Sequence, residues 1–275
     1  MLEPNPYNDK IASGVEQPLL SNEEVIVFAP EFNTQGKRDA TGAFHPGAKM
    51  FCDYYGLDRE KVVHYIDNEN SKHIQARQLL SKMEAARTVW PETGDYLYPQ
   101  VYVFFCHGYI SGIQFGIRSP TPGRRFTSTD RGHWERFVAA IGRHPAPVVI
   151  LYACSTGDDP DDDPNSAPGS GDDSFGDLLR DALCARQCTF NRVVTHYSPG
   201  HTFYNRDIKI MDGMGSPIGG HGGLPLAKNG SKTYKALGQL LKVKPGKEGY
   251  GFAWRFPFMT VADIHSELAR KAGLI

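Results

Sequence analysis

The chain has 275 residues, a formal net charge of −1 and 40% hydrophobic residues, so it can bury a sizeable core and has no global charge bias. That balance argues against nucleic acid or an anionic membrane surface as a partner. The lack of an apolar run of about 18 residues argues against a membrane span. Five cysteines without framework spacing read as mostly reduced thiols, as in a cytoplasmic protein. Cys184 and Cys188 form a lone C-x3-C with no second pair, which reads as a helix end rather than a metal site.

Residues 1–22 hold three prolines and little periodicity, and read as an N-terminal arm. The opening MLEPNPYNDKIASGVEQP has neither a basic start nor an apolar stretch, so it does not read as a secretory signal. Residues 23–275 read as a single domain. Residues 25–30 (VIVFAP) predict a buried strand ended by proline. Residues 46–55 predict a short helix, 62–66 a strand and 71–86 a helix, with Ile74, Leu79, Leu80 and Met83 near one face. Residues 101–106 (VYVFFC) predict a third strand. Trp134, Phe137, Val138 and Ile141 recur at helical spacing behind Asp130, a candidate N-cap. Residues 147–153 (PVVILYA) predict a fourth strand.

Residues 157–173, GDDPDDDPNSAPGSGDD, contain seven aspartates, three prolines and no basic residue, which excludes a core element. This acidic loop could be a solvated linker, a cleavable intersubunit loop or a calcium site. Its spacing does not fit an EF-hand, and the flexible linker is the preferred reading. Ser174 and Asp177 resemble a capping box ahead of a stripe of Phe175, Leu178, Leu179, Ala182 and Leu183. Residues 192–197 predict a fifth strand. Residues 211–223 read as a glycine-rich loop, 250–258 as a late strand, and a last helix starts near Thr260 and uses Val261, Ile264 and Leu268. Strands alternating with helices predict an α/β fold: a mostly parallel central sheet with helices on both faces. Ligand sites in such sheets lie beyond the carboxyl ends of the strands.

Reactive residues lie at that edge. The third strand runs into His107-Gly108 and the fourth into Cys154. A thiol needs an imidazole nearby to become a thiolate at neutral pH. A glycine beside the histidine lets backbone N–H groups approach an oxyanion, and the amides of Gly108 and Cys154 suit that role. Cys106 alternates to the opposite face and reads as core. His196 and His201 lack further ligands at metal spacing, and read as cleft-lining or sheet-capping residues.

Apolar strand–His–Gly, a helix, then apolar strand–Ala–Cys resembles the caspase-like cysteine peptidases, with the order of elements similar over residues 25–198. The resemblance implies a caspase-like three-layer α/β/α sandwich and a cysteine endopeptidase. His107 and Cys154 would be its catalytic dyad, a protein or peptide its substrate, and no cofactor would be required. Residues 197–206 are similar to the caspase stretch Ser-x-x-Pro-Gly through Trp-Arg, with one residue more and Tyr for Trp. That implies substrate contact by Arg206, with His196, Asp158 and Asp159 lining the cleft. Tyr152 and Ser155 stand where caspases commonly have Gln and then Arg or Gln, which points away from strict aspartate specificity. The acidic run behind Cys154 points instead to a basic P1 residue, the preference of metacaspases and paracaspases.

Two other readings compete. Ala153-Cys154-Ser155-Thr156-Gly157 also fits a variant serine-hydrolase nucleophile elbow on Ser155, but an elbow feeds a helix, and DDPDDDP opposes one. A non-catalytic binding module of the same fold would have no need of both His107 and Cys154.

Overall fold

The computed structural model describes residues 20–32, 42–67, 72–90, 92–115, 126–158, 173–200, 203–213 and 223–275. In chain order the elements are β1 (Val25–Pro30), α1 (Phe44–Tyr55), the one-turn α2 (Arg59–Val62), β2 (Val63–Ile66) and α3 (Lys72–Ala85). A hairpin of β3 (Thr88–Val89) and β4 (Tyr96–Leu97) leads to β5 (Val101–Phe105). Next come β6 (His107–Tyr109), β7 (Gly112–Gln114), β8 (Phe126–Thr127), α4 (Arg131–Ile141), β9 (Val148–Tyr152), α5 (Phe175–Ala185), β10 (Arg192–His196) and β11 (Ile208–Asp212). The chain closes with β12 (Leu224–Pro225), α6 (Lys232–Leu240), α7 (Phe252–Arg255), a 3-10 turn (Phe256–Phe258) and α8 (Val261–Lys271).

Among the described residues, seven strands form one sheet in the order β12-β11-β10-β9-β5-β1-β2. The run from β10 to β2 is parallel, β11 is antiparallel to β10, and β12 is antiparallel to β11. Strand alternation splits the core in two. Val25, Val27, Val103, Phe105, Ile150 and Tyr152 face α1, α6, α7 and α8, where Phe51, Leu237, Trp254 and Ile264 receive them. Ile26, Phe28, Tyr102, Phe104, Val149 and Leu151 face α3, α4 and α5. These are the helices on both faces of a mostly parallel sheet that the sequence predicts. No helix among the described residues is long and apolar enough to cross a membrane, and no two of the five cysteines are joined by a disulfide.

Among the described residues, four helices, α2, α5, α6 and α8, have side-chain N-caps that behave as their chemistry dictates. Ser174 and Thr260 accept the amides of Asp177 and Asp263 at the starts of α5 and α8. Asp130 precedes α4 but does not cap it with its side chain; its carboxylate instead takes the Thr127 amide and hydroxyl, both at 3.1 Å. Asp177 completes only half of a capping box, because its carboxylate pairs with the buried Arg180 at 2.5 Å and accepts the Asp173 amide.

Some expectations need correction. Residues 250–258 form α7 and the 3-10 turn rather than a strand. Phe252, Ala253, Trp254 and Phe256 are all buried, and an apolar run buried all round has no periodicity to tell helix from strand. Met211 and Asp212 belong to β11 rather than to a glycine-rich loop, of which residues 214–222 lie outside the described residues. The acidic loop is described only at residues 157, 158 and 173, so its linker, cleavage and calcium readings fall mostly outside the described residues, as does the N-terminal arm before residue 20.

Candidate active site

The site is built by register. β5 and β9 lie side by side in parallel, with Phe105 opposite Tyr152 and their rings stacked 4.7 Å apart. One step further, Cys106 and Ala153 alternate into the α3–α5 cluster and are fully buried. His107 and Cys154 follow just past the carboxyl ends of these adjacent central strands. Helix α1 closes on this edge. A Cβ on its Gly47 would lie 2.8 Å from the Phe105 ring, so glycine permits the approach that sets Phe44 edge-on to the His107 imidazole at 5.0 Å.

Gly108 is the tightest point. A Cβ there would sit 2.2 Å from the Cys154 carbonyl oxygen and 2.7 Å from its nitrogen, so only glycine lets the two backbones meet. From Gly108 the chain leaves the main sheet as β6, which pairs with β7 through His107 and Gln114.

The half-buried Cys154 thiol is surrounded by amides. Gly200 donates its N–H to the sulfur at 3.3 Å, and the backbone at Gly108 and at Cys154 itself also favours the thiolate. Burial pushes the thiol above its ordinary pKa, and these amides oppose the shift because they favour the thiolate. Cys106 is pushed higher by complete burial, which makes it an inert core thiol, as predicted.

The turn after Cys154 is fastened to β10 and β11. Ser155 donates its amide to Ser198 at 3.2 Å, and Gly157 donates to His196 at 2.9 Å. Ser155 holds a left-handed φ of 50°. Asp158 closes the turn by donating its amide to the Ser155 carbonyl, and the next described helix starts only at Phe175. Beneath the turn, the fully buried Lys209 donates its ammonium to the Gly157 carbonyl at 2.7 Å. A Cβ on Gly157 would meet the Thr195 hydroxyl at 2.1 Å, so this contact too requires glycine.

His107, Gly108, Cys154 and His196 therefore gather at one sheet edge, with His196 buried beside the Tyr152 ring at 6.4 Å. Arg206 is exposed and engaged elsewhere: its guanidinium lies over the Tyr234 ring at 4.4 Å, against Gly238 of α6. Asp158 is half-buried in the turn, while Asp159 and His201 lie outside the described residues. Among the described residues, no three His, Cys, Asp or Glu side chains gather as a metal-binding group.

No family model, curated protein or solved structure matches this chain.

Sequence reasoning did not single out the amide of Gly200, the carboxamide of Asn205 or Lys209 as parts of this edge. Lys209 lies between Ile208 and Ile210, an alternation that marks a strand whose opposite face must bury a lysine. Gly200 and Asn205 fall within the caspase-like stretch 197–206, but the hydrogen bonds they make have no sequence signal, since both sit in an irregular segment. Chemically, an imidazole, a thiol and converging amides can perform acyl transfer, the imidazole moving the proton and the amides receiving negative charge.

Proposed function

We propose that this protein is a cysteine endopeptidase resembling the caspase-like peptidases, with Cys154 as nucleophile and His107 as general base. One observation carries the reading. The parallel register of β5 with β9, whose last pair is Phe105 with Tyr152, leads the segments that carry His107 and Cys154 to the same carboxyl edge of the sheet. Gly108 packed on the Cys154 backbone, and the amides bonding the sulfur, support it.

In this mechanism His107 takes the proton from the Cys154 thiol, and the sulfur attacks the carbonyl carbon of the scissile peptide. The carbonyl oxygen gains the negative charge and accepts hydrogen bonds from the Gly108 and Cys154 amides. Collapse of the tetrahedral intermediate breaks the C–N bond, and the imidazolium returns its proton to the leaving amine. Water, deprotonated by His107, then hydrolyses the thioester and regenerates the thiol. No cofactor enters these steps.

The serine-hydrolase reading has less support. Ser155 does hold a left-handed φ, as a nucleophile elbow would, but its amide is bound to Ser198 and its turn closes on Asp158 instead of entering a helix. The binding-module reading leaves the amides around Cys154 without a purpose. The deciding experiment compares three variants on a library of fluorogenic peptides. Cys154→Ala should abolish cleavage, and His107→Ala should lower kcat by about 10²–10⁴-fold or more. Ser155→Ala should retain activity and sensitivity to iodoacetamide. Loss with Ser155→Ala but not with Cys154→Ala would move the nucleophile to the serine.

A further inference from the structure

The amide that reaches Cys154 from outside the two dyad strands belongs to Gly200, and a network of side chains aims it. Gly200 sits at φ +151°, a conformation L side chains rarely adopt, and an added Cβ would lie 2.8 Å from Asn205 Nδ2. That same Nδ2 donates to the Gly200 carbonyl at 2.7 Å and to the Ser198 carbonyl at 3.2 Å, while Oδ1 accepts the Asp207 amide at 3.0 Å. Asp207 anchors the network to the body of the protein: Tyr234 of α6 and Ser198 each donate a hydroxyl to its carboxylate at 2.5 Å. Ser198 in turn accepts the Ser155 amide, so the clamp also holds the residue next to Cys154. One carboxamide thus fixes both carbonyls flanking the peptide that points its N–H at the sulfur.

We propose that Asn205 is a positioning residue for Cys154: it clamps residues 198–200 so that the Gly200 N–H is held on the sulfur and stabilises the thiolate. An N–H donated to a thiolate is a charge-assisted bond, stronger than one to a neutral thiol, so the clamp favours ionisation. A clamp that merely shaped the turn would leave the acidity of the thiol unchanged. The inference rests on reading Cys154 as the nucleophile, and its tests need no substrate. A protein that passes them yet cleaves no peptide would keep the clamp and lose the peptidase.

The first test is the pH dependence of iodoacetamide alkylation at Cys154, resolved by mass spectrometry. Asn205→Ala should raise the thiol pKa by about one to two units, the strength of a hydrogen bond to a charged group. Gly200→Ala should do the same. An unchanged pKa in a folded Asn205→Ala protein overturns the proposal. The second test uses the wild-type chain and so does not depend on a variant folding. The Gly200 amide proton should move downfield in NMR spectra as Cys154 ionises. The titratable groups around this network are His107, Cys106, His196, Tyr197, Asp207 and Tyr234, so Cys154→Ala, which keeps them all, should abolish the movement. A Gly200 amide that does not follow Cys154, or follows it equally in Cys154→Ala, overturns the proposal.

Discussion

At the scale of single residues, the proposed chemistry turns on how Cys154 becomes a thiolate. Burial raises its pKa, and the amides of Gly200, Gly108 and Cys154 pull the other way without cancelling the shift. On the proposed reading, an imidazolium at His107 supplies the remaining push. The thiolate fraction therefore grows as pH rises, and with His107 intact it grows at lower pH. We expect alkylation of Cys154 in His107→Ala to reach half its maximum above the ordinary thiol range, and in the wild type at lower pH; coincident profiles would remove His107 from the dyad. The linkage to stability has the opposite sense. Burial raises Cys52 to about 12 and also raises Cys154, so the folded state holds those protons more tightly than the unfolded chain. Their contribution to stability is fully present below the ordinary thiol pKa and declines as pH rises through the folded values.

At the scale of elements, glycines govern how strands and turns approach one another. Gly108→Ala would drive a methyl group to 2.2 Å from the Cys154 carbonyl oxygen, and the rigid backbone on both sides leaves only separation of the strand ends as relief. Cleavage should therefore fall at least as far as with the loss of an oxyanion donor, about 10²–10³-fold in kcat. Far-UV circular dichroism should be retained, because the contact lies beyond the last ladder pair of β5 and β9. Normal kcat in this variant would show that the two backbones can part without cost to the site. Helix α5 offers a stability test of similar clarity. Arg180 and Asp177 form a buried ion pair, each side chain 4% exposed, with Asp181 on the outer side of the guanidinium. Arg180→Ala removes the cation that pairs with the buried Asp177 carboxylate, and urea unfolding should show a loss of about 3–5 kcal/mol. A loss below about 1 kcal/mol, the range of exposed pairs, would mean that Asp177 finds another partner.

At the scale of the whole molecule, charge placement bears on the substrate. Residues 144–179 contain eight aspartates and no lysine or arginine, and most of them follow Cys154 directly in sequence. Arg206, the residue that resembles the aspartate-binding arginine of caspases, is stacked on Tyr234 of α6. For the proposed peptidase, both observations favour a basic P1 residue. Peptides differing only in Arg or Asp at P1 should be cleaved with an Arg preference that weakens with added salt, since exposed charges are screened beyond about 8 Å at physiological ionic strength. Preference for Asp, or an Arg preference that survives replacement of the loop aspartates by asparagine, would overturn this, and assays with and without calcium would reveal a metal-dependent loop.

Much of the architecture could be read without coordinates. The apolar runs of β1, β5, β9 and β10, the amphipathic stripes of α4 and α5, and the caps Ser174 and Thr260 follow from periodicity and local hydrogen bonding, which act within a few residues. The positions of His107 and Cys154 just past two such runs placed both at the carboxyl edge of a parallel sheet. What the chain order could not convey was adjacency. Whether β5 lies beside β9, and in which register, is decided by packing across residues far apart in sequence. Only that register brings the strand ends that carry His107 and Cys154 side by side. The fold of residues 250–258 was undecidable for a related reason: complete burial erases the polar face that distinguishes a helix from a strand. Arg206, Gly200, Asn205 and Lys209 lie beyond local rules altogether. Their partners, Tyr234, Cys154, Ser198 and Gly157, are supplied by other elements or by the turns between them. The sequence by itself determined which residues could react, and the tertiary structure decided which of them meet.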